Sequence, residues 1–173
     1  MIQRSGVVRA RPEEPEDVPA VRRVHMAAFP GPGEADLVDV LRKDPVWLPG
    51  LSWVAADHRG LVIAHALLTR LEVGGGAALA LAPVAVAPEW QRRGVGTFVV
   101  QAALEAADAA GERLVVVLGD PRYYGRFGFT PASGHGVTGP YEVPDTHFQV
   151  LPLAAYDGSP CGTAVYPPPF DEM

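Results

Sequence analysis

The segment Gln91-Arg92-Arg93-Gly94-Val95-Gly96-Thr97 concentrates the anion-binding chemistry of this 173-residue sequence. Gly94 and Gly96 leave the backbone bare, so an anion can come close to main-chain N–H groups. Where such a segment opens a helix, those N–H groups lack partners, and the dipole adds partial positive charge. Arg92 and Arg93 add formal charge. The chemistry this permits is the cradling of a diphosphate. Glycine spacing alone is satisfied equally well by a tight strand-to-helix turn with solvated arginines. A P-loop is excluded because no Gly-Lys-Ser/Thr follows, and a dinucleotide fingerprint lacks its third glycine after Gly94-Val95-Gly96.

A second chemical segment is Gly119-Asp120-Pro121-Arg122-Tyr123-Tyr124-Gly125-Arg126-Phe127-Gly128-Phe129. Asp120 suits an N-cap with Pro121 at the first helical position. A phenol of pKa about 10 can donate a proton within hydrogen-bond reach. The same aromatic residues could instead simply close the core. Among acids, Glu34 is the first candidate for a base, since it opens a helix beside Pro30-Gly31-Pro32-Gly33; it could equally serve the helix dipole. His65 reads as a satisfied core histidine. Tyr141 and His147 are candidates to line an acceptor pocket, and Trp47 and Trp53 read as packing residues. Cys161 reads as a bystander thiol.

The elements that must position these residues follow from spacing. Gly6 to Arg11 reads as a strand, and Glu13 to Asp17 as an acidic helix start. Val18, Val21, His25 and Ala28 then recur at helical spacing as far as Phe29. A second helix, Glu34 to Lys43, presents Leu37, Val40 and Leu41. Leu51 to Ala56, Leu61 to Glu72 and Ala77 to Ala87 form a meander, turning at Asp57 to Gly60 and at Gly74 to Gly76. Pro83 predicts a bulge or local splay in the third of these strands. A long helix carries Val95, Phe98, Val99, Ala102, Ala103, Ala106 and Ala110 as one stripe and stops at Gly111. Arg113 to Leu118 is the next strand, and the crossover between them implies a parallel pair. Phe148 to Leu153 and Thr163 to Tyr166 read as late strands. With no internal repeat and no dividing linker, residues 1–173 read as one domain.

The string Val84-Ala85-Val86-Ala87-Pro88 through Thr97 resembles the acyl-CoA-binding motif of the GNAT superfamily of N-acetyltransferases, Gln/Arg-x-x-Gly-x-Gly/Ala. Gln91, Gly94 and Gly96 fill it. The resemblance implies an α/β GNAT fold: a mixed, mostly antiparallel sheet, helices on both faces and a splayed parallel strand pair. It implies acetyl-CoA as cosubstrate and no metal. Main-chain groups of Val84, Ala85 and Val86 would pair with the pantetheine arm. N–H groups of Arg92, Arg93, Gly94, Val95, Gly96 and Thr97 would hold the pyrophosphate. Tyr124, four residues before Gly128-Phe129, would protonate the departing thiolate. Some family members carry a Glu on the preceding strand, where this sequence has Ala80. The Gly-Asp-Pro-x-Tyr-Tyr-x-Arg-Phe-Gly-Phe string resembles a bacterial subgroup. Chains similar to it also carry Glu34-Ala35-Asp36-Leu37-Val38, Val143-Pro144-Asp145 and Tyr166 to Phe170. The expected activity is direct acetyl transfer to a primary amine. A non-catalytic acyl-CoA sensor is the alternative, and an unrelated nucleotide-binding protein is a third reading.

Composition bounds the partners. A net charge of −6 argues against general nucleic-acid binding, which needs a cationic face. Lys43 is the one lysine; the other thirteen cations are arginines, suited to bidentate anion contacts. Cys161 stands alone and the five histidines show no His-x-x-x-His spacing, so no metal is expected. The longest uncharged run, Val73 to Pro88, is sixteen residues, too short to span a membrane. A cytoplasmic protein acting on a small-molecule or peptide amine is expected, and a homodimer is compatible with the sequence.

Overall fold

The structure, a computed structural model, describes residues 7–172. Among the described residues nine strands make one sheet: β1 (Arg9–Pro12), β2 (Trp47–Ala56), β3 (Val62–Val73), β4 (Gly76–Val86), β5 (Leu114–Leu118), β6 (Thr130–Pro131), β7 (Val137–Thr138), β8 (Phe148–Pro152) and β9 (Gly162–Val165). The main path runs β1-β2-β3-β4-β5-β8-β6, with β9 attached to the end of β3 and β7 to β9. The mixed, mostly antiparallel sheet is the one expected, with antiparallel pairing throughout the path except at β4–β5. Gly6, where the first strand was expected to begin, lies outside the described residues.

Helices α1 (Val18–Ala28) and α2 (Gly33–Arg42) cover one face, and α3 (Val95–Ala109) the other. Two expected helix faces turn out rotated. In α2 the buried residues are Ala35, Leu37, Val38 and Leu41, while Val40 is exposed. In α3 they are Val95, Val99, Val100, Ala103, Leu104 and Ala107, so Phe98, Ala102 and Ala106 flank the contact and Ala110 faces solvent. An alanine-rich helix offers little hydrophobic contrast between its faces. Its rotation is therefore set by where Val100 and Leu104 bury most area, about 1.5–3 kcal/mol for each fully buried side chain. Gly111 follows the helix at φ +81°, the left-handed stop expected there.

β2 starts four residues earlier than the apolar run suggests, because the strand continues through Pro49-Gly50 as an irregularity in register. Trp53 fixes that kink by donating from Nε1 to the Gly50 carbonyl at 2.9 Å. The late strands β8 and β9 share no ladder: β8 pairs with β5 and β6, β9 with β3 and β7.

The feature that makes a site is the splay of β4 from β5. Ala66 pairs with Val84 and Leu68 with Leu81, so three steps of β4 match two of β3, a bulge centred on Pro83. On its other edge β4 pairs with β5 only at Leu79↔Val115 and Ala80↔Val116, among the described residues. Beyond Ala80 the two parallel strands diverge.

Candidate active site

β4 runs through a short turn, Pro88–Trp90, into α3, and the loop between them folds back on the strand: Gln91 Nε2 donates to the Val86 carbonyl at 3.0 Å. Gly94 caps α3 in the left-handed region (φ +82°), and Arg92 sits there too (φ +61°), uncommon for a residue with a Cβ. These reversals turn the first N–H groups of α3 outward. At Gly96 a Cβ would lie 3.0 Å from Tyr123 Oη and 3.2 Å from Val86 Cγ2, so bare backbone is what fits.

A cavity of about 570 Å³ opens over this loop. Val84, Ala85 and Val86 form one wall, and Gln91, Arg92, Gly94, Gly96 and Thr97 another. Arg126 closes the side: Nη1 donates to Thr97 Oγ1 at 3.0 Å, Nε donates to the Tyr123 carbonyl at 2.9 Å, and the guanidinium lies 4.3 Å from the Tyr123 ring centroid. The ion pairs among the described residues include neither Arg92 nor Arg126, which leaves their charge available to an anion.

Helix α4 (Pro121–Tyr124) begins where β5 ends, with Asp120 accepting from the Arg122 N–H at 2.8 Å as the expected cap. It delivers Tyr124 into the gap between the strands. Tyr124 packs edge-on to Tyr123 (5.0 Å between centroids) and Phe129 (5.8 Å). Burial, and secondarily Tyr123, pushes its phenol up to about 12. Tyr124, Phe29 and Val84 line both this cavity and a second one of about 440 Å³, whose wall includes Glu34. Two of the candidate acid–base groups, Tyr124 and Glu34, therefore face one space.

Behind the site lies a buried polar chain. Ser52 Oγ donates to Glu13 Oε1 (2.6 Å) and accepts from His65 Nε2 (2.8 Å). His65 Nδ1 then accepts from His25 Nε2 at 2.8 Å, and Arg42 pairs with the other Glu13 oxygen. The serine and the two imidazoles each meet an acceptor in this order with both imidazoles neutral, whereas Arg42 Nε and Nη2 are buried without a partner among the described residues. His25 Nδ1 is left without a partner among the described residues. Burial, joined by the charge of His65, pushes His25 down to about 3, and burial lowers His65 as well. Burial acts to raise Glu13, but hydrogen bonds from His65 and Ser52, with the Arg42 charge, hold it below the usual carboxylate range. The chain abuts the site at two points. His65 pairs in register with Ala85, and the Phe29 ring stacks on His25 at 6.0 Å and 12°.

Not every expected residue meets the cavities. Val95 is buried beneath the loop and Arg93 swings away to lie 5.4 Å from the Trp90 ring centroid, so each offers the cavity at most main-chain atoms. His147 is a correction: it lines neither cavity, because its carbonyl is engaged by the Gly119 N–H at 2.9 Å and its ring faces Thr146. Tyr141 does line the second cavity. Glu13, expected in an acidic helix start, is the buried terminus of the polar chain. Ala80 is fully buried and paired with Val116, with no carboxylate to offer. Sequence reasoning did not single out Phe29 or Arg126. Phe29 carried one usable signal, an aromatic residue at a helix end directly before Pro30-Gly31-Pro32-Gly33. No described helix is long and apolar enough to cross a membrane.

Residues 18–129 match the model of the acetyltransferase (GNAT) family. The chain is 38% identical over 136 residues to the uncharacterized N-acetyltransferase YjhQ of Escherichia coli, covering 76% of this chain and 75% of that one. It is 34% identical over 146 residues to the uncharacterized N-acetyltransferase YhbS of the same organism, covering 83% and 86%. The crystal structure of Escherichia coli YhbS in complex with CoA superposes with a TM-score of 0.86 at 31% identity, over 95% of this chain and 91% of that one. A GNAT acetyltransferase from Brucella melitensis in complex with acetyl-CoA gives 0.78 at 30% identity, over 95% and 99%.

Proposed function

Since the chain belongs to the acetyltransferase (GNAT) family, we propose that it moves the acetyl group of acetyl-CoA directly onto a primary amine seated in the second cavity. The observation that carries this is the junction: two cavities, one beside a diphosphate-sized nest of N–H groups, meet at Phe29, Val84 and Tyr124. The donor set suits acetyl-CoA. The unpaired edge of β4 can hold an extended amide-bearing arm, and between Tyr123 and Val86 only the bare backbone of Gly96 fits.

In this proposal the main chain of Val84, Ala85 and Val86 binds the pantetheine arm as a further strand. The N–H groups from Arg92 to Thr97 bind the pyrophosphate, with Gln91 holding the loop in place, and Arg126 adds charge. Acetyl-CoA supplies an acyl group already activated as a thioester. A main-chain N–H near Val86 polarises the carbonyl, and the walls hold the two reactants in line. Glu34 takes the proton the amine must shed, directly or through water. Tyr124 Oη gives a proton to the departing sulfur. A raised phenol stays protonated at neutral pH, which suits a general acid.

Residues 1–173 act here as one acetyltransferase domain of the subgroup marked by Gly119 to Phe129. It works in the cytoplasm, without nucleic acid or membrane, and sedimentation distinguishes monomer from homodimer. Calorimetric titration with acetyl-CoA, desulfo-CoA, ATP and NAD tests the cosubstrate, and thiol release with amines tests transfer. Selective CoA binding with thiol release is expected; binding of ATP or NAD in its place overturns the proposal. CoA binding without thiol release on any amine points to a sensor.

A further inference from the structure

The second cavity has mainly aromatic and aliphatic walls. Phe29, Tyr141, Tyr166 and Phe170 present rings to it, and Leu37, Leu81 and Leu118 add aliphatic surface. The rings are ordered against each other: Tyr166 lies 5.1 Å from Phe170, edge to face, and 5.6 Å from Tyr141, tilted. Burial pushes the Tyr166 phenol above its ordinary range. Glu34 is the one charged side chain among the described residues that line this space. At about 440 Å³ it lies in the range of small-molecule sites, roughly 300–1,000 Å³.

These features select an acceptor by its whole shape. One carboxylate can pair one ammonium. A second ammonium, as in a polyamine, would be stripped of water against leucine and phenylalanine with no counter-ion. Sugar hydroxyls would find only the phenols of Tyr124, Tyr141 and Tyr166 and the Glu34 carboxylate as side-chain partners, fewer than the hydrogen bonds they give up on leaving water. A flat ring on the amine, in contrast, buries apolar area and meets aromatic edges and faces at their preferred geometry.

We propose that the acceptor is a small arylalkylamine, with one primary amino group on a short link to one flat apolar ring. The inference rests on the acetyl-transfer reading above and narrows its acceptor. In the reaction the amine nitrogen forms the new C–N bond as the C–S bond breaks. The alkylammonium ion and acetyl-CoA give the N-acetyl amide, free CoA thiol and one released proton. The nitrogen sheds two protons in all, one offsetting the proton that the sulfur takes up.

The test compares 2-phenylethylamine and tryptamine with spermidine, glucosamine and a short peptide with a free α-amino group, each with acetyl-CoA. The arylalkylamines are expected to exceed the others in kcat/KM by about tenfold or more, the discrimination that one buried apolar group gives. Tyr141→Ala and Phe170→Ala are expected to raise the KM for 2-phenylethylamine about fivefold or more, without changing acetyl-CoA affinity. Tyr141 is exposed at the rim, so its replacement leaves the fold standing and keeps the test decisive if Phe170→Ala fails to fold. Calorimetry with 2-phenylethylamine in the presence of CoA reads the same site without turnover. Normal acetyl-CoA binding with spermidine, glucosamine or peptide preferred, or with arylalkylamines ignored, overturns this inference alone. Loss of CoA binding in the wild-type protein overturns the acetyl-transfer reading, and this inference with it.

Discussion

Gly119 lies directly beneath the Tyr124 ring: a Cβ added to Gly119 would sit 2.5 Å from Tyr124 Cε2 and 2.9 Å from Cδ2. The last residue of the chain before the α4 cap is thus small so that the ring can lie in the gap between β4 and β5. Gly119→Ala should push the ring out of that position. Turnover is expected to fall about tenfold or more while acetyl-CoA affinity stays near wild type, since a small displacement of a proton donor is costly to chemistry. Steady-state kinetics with calorimetry on the same preparation checks it; unchanged turnover would show that the phenol tolerates the shift.

Tyr124→Phe removes the proton donor and keeps the ring. Turnover should drop by roughly 10²–10⁴-fold with acetyl-CoA binding almost intact. The pH profile carries a second signature. Burial raises this phenol to about 12, so its deprotonation should not shape turnover at any pH below about 11. An alkaline decline centred near pH 10 that disappears in the phenylalanine variant would contradict the assigned environment.

The phosphate loop is tested at its glycines. Gly94→Val places a β-branched residue at φ +82°, a conformation that costs an L-residue about 1–2 kcal/mol, and crowds the helix start. Gly96→Val drives atoms into Tyr123 and Val86. Both should weaken acetyl-CoA binding about tenfold or more, with Gly96→Val also lowering turnover through Tyr123 and its neighbour Tyr124. Native affinity by calorimetry in both variants would remove the loop from cofactor binding.

Acid should destabilise the fold through the buried polar chain. His25 is depressed from 6.5 to about 3, and His65 is depressed too. A histidine with a lowered folded pKa takes up its proton in the unfolded chain first. The stability His25 contributes is therefore fully present above about pH 6.5 and is lost as pH falls towards 3, by about 1.4 kcal/mol per pH unit, and His65 adds a loss of the same sign. Glu13, also depressed, adds to the loss at lower pH. Urea unfolding between pH 7.5 and 5 should show this slope, and His25→Gln should flatten it by about one proton. A stability independent of pH over that range would mean the imidazoles are not held neutral.

What the sequence revealed tracks how local each determinant is. The glycine loop, the Asp120 cap, the Pro83 bulge and the left-handed stop at Gly111 are each dictated by a few neighbouring residues, and all four were legible. The rotation of α2 and α3 was not, since Val38 and Val40, or Phe98 and Val100, are chemically alike and only the sheet chooses between them. The polar chain was invisible for another reason. Glu13 meets Ser52 across 39 positions and His25 meets His65 across 40, and no spacing rule links such pairs. The aromatic wall is the extreme case, where Phe29 and Phe170 come from opposite ends of the chain. Even so, Glu34 was in view because it opens a helix beside the Pro30 to Gly33 break, and Tyr141 as an aromatic residue of the C-terminal segment.

The divergence of β4 from β5 has a mechanical consequence. The two halves of the sheet are stitched across their centre by the Leu79↔Val115 and Ala80↔Val116 pairs, with α3 packed across the seam. The two halves are thus leaves joined by a short ladder and by the core clusters that bridge it on either face. A ligand that threads the gap, bonded to β4 on one side and lying against α4 on the other, becomes a rivet through both leaves. Stretched between its two halves, the occupied protein should yield at a higher force than the empty one, and the added resistance should vanish when the rivet is cut short of the gap.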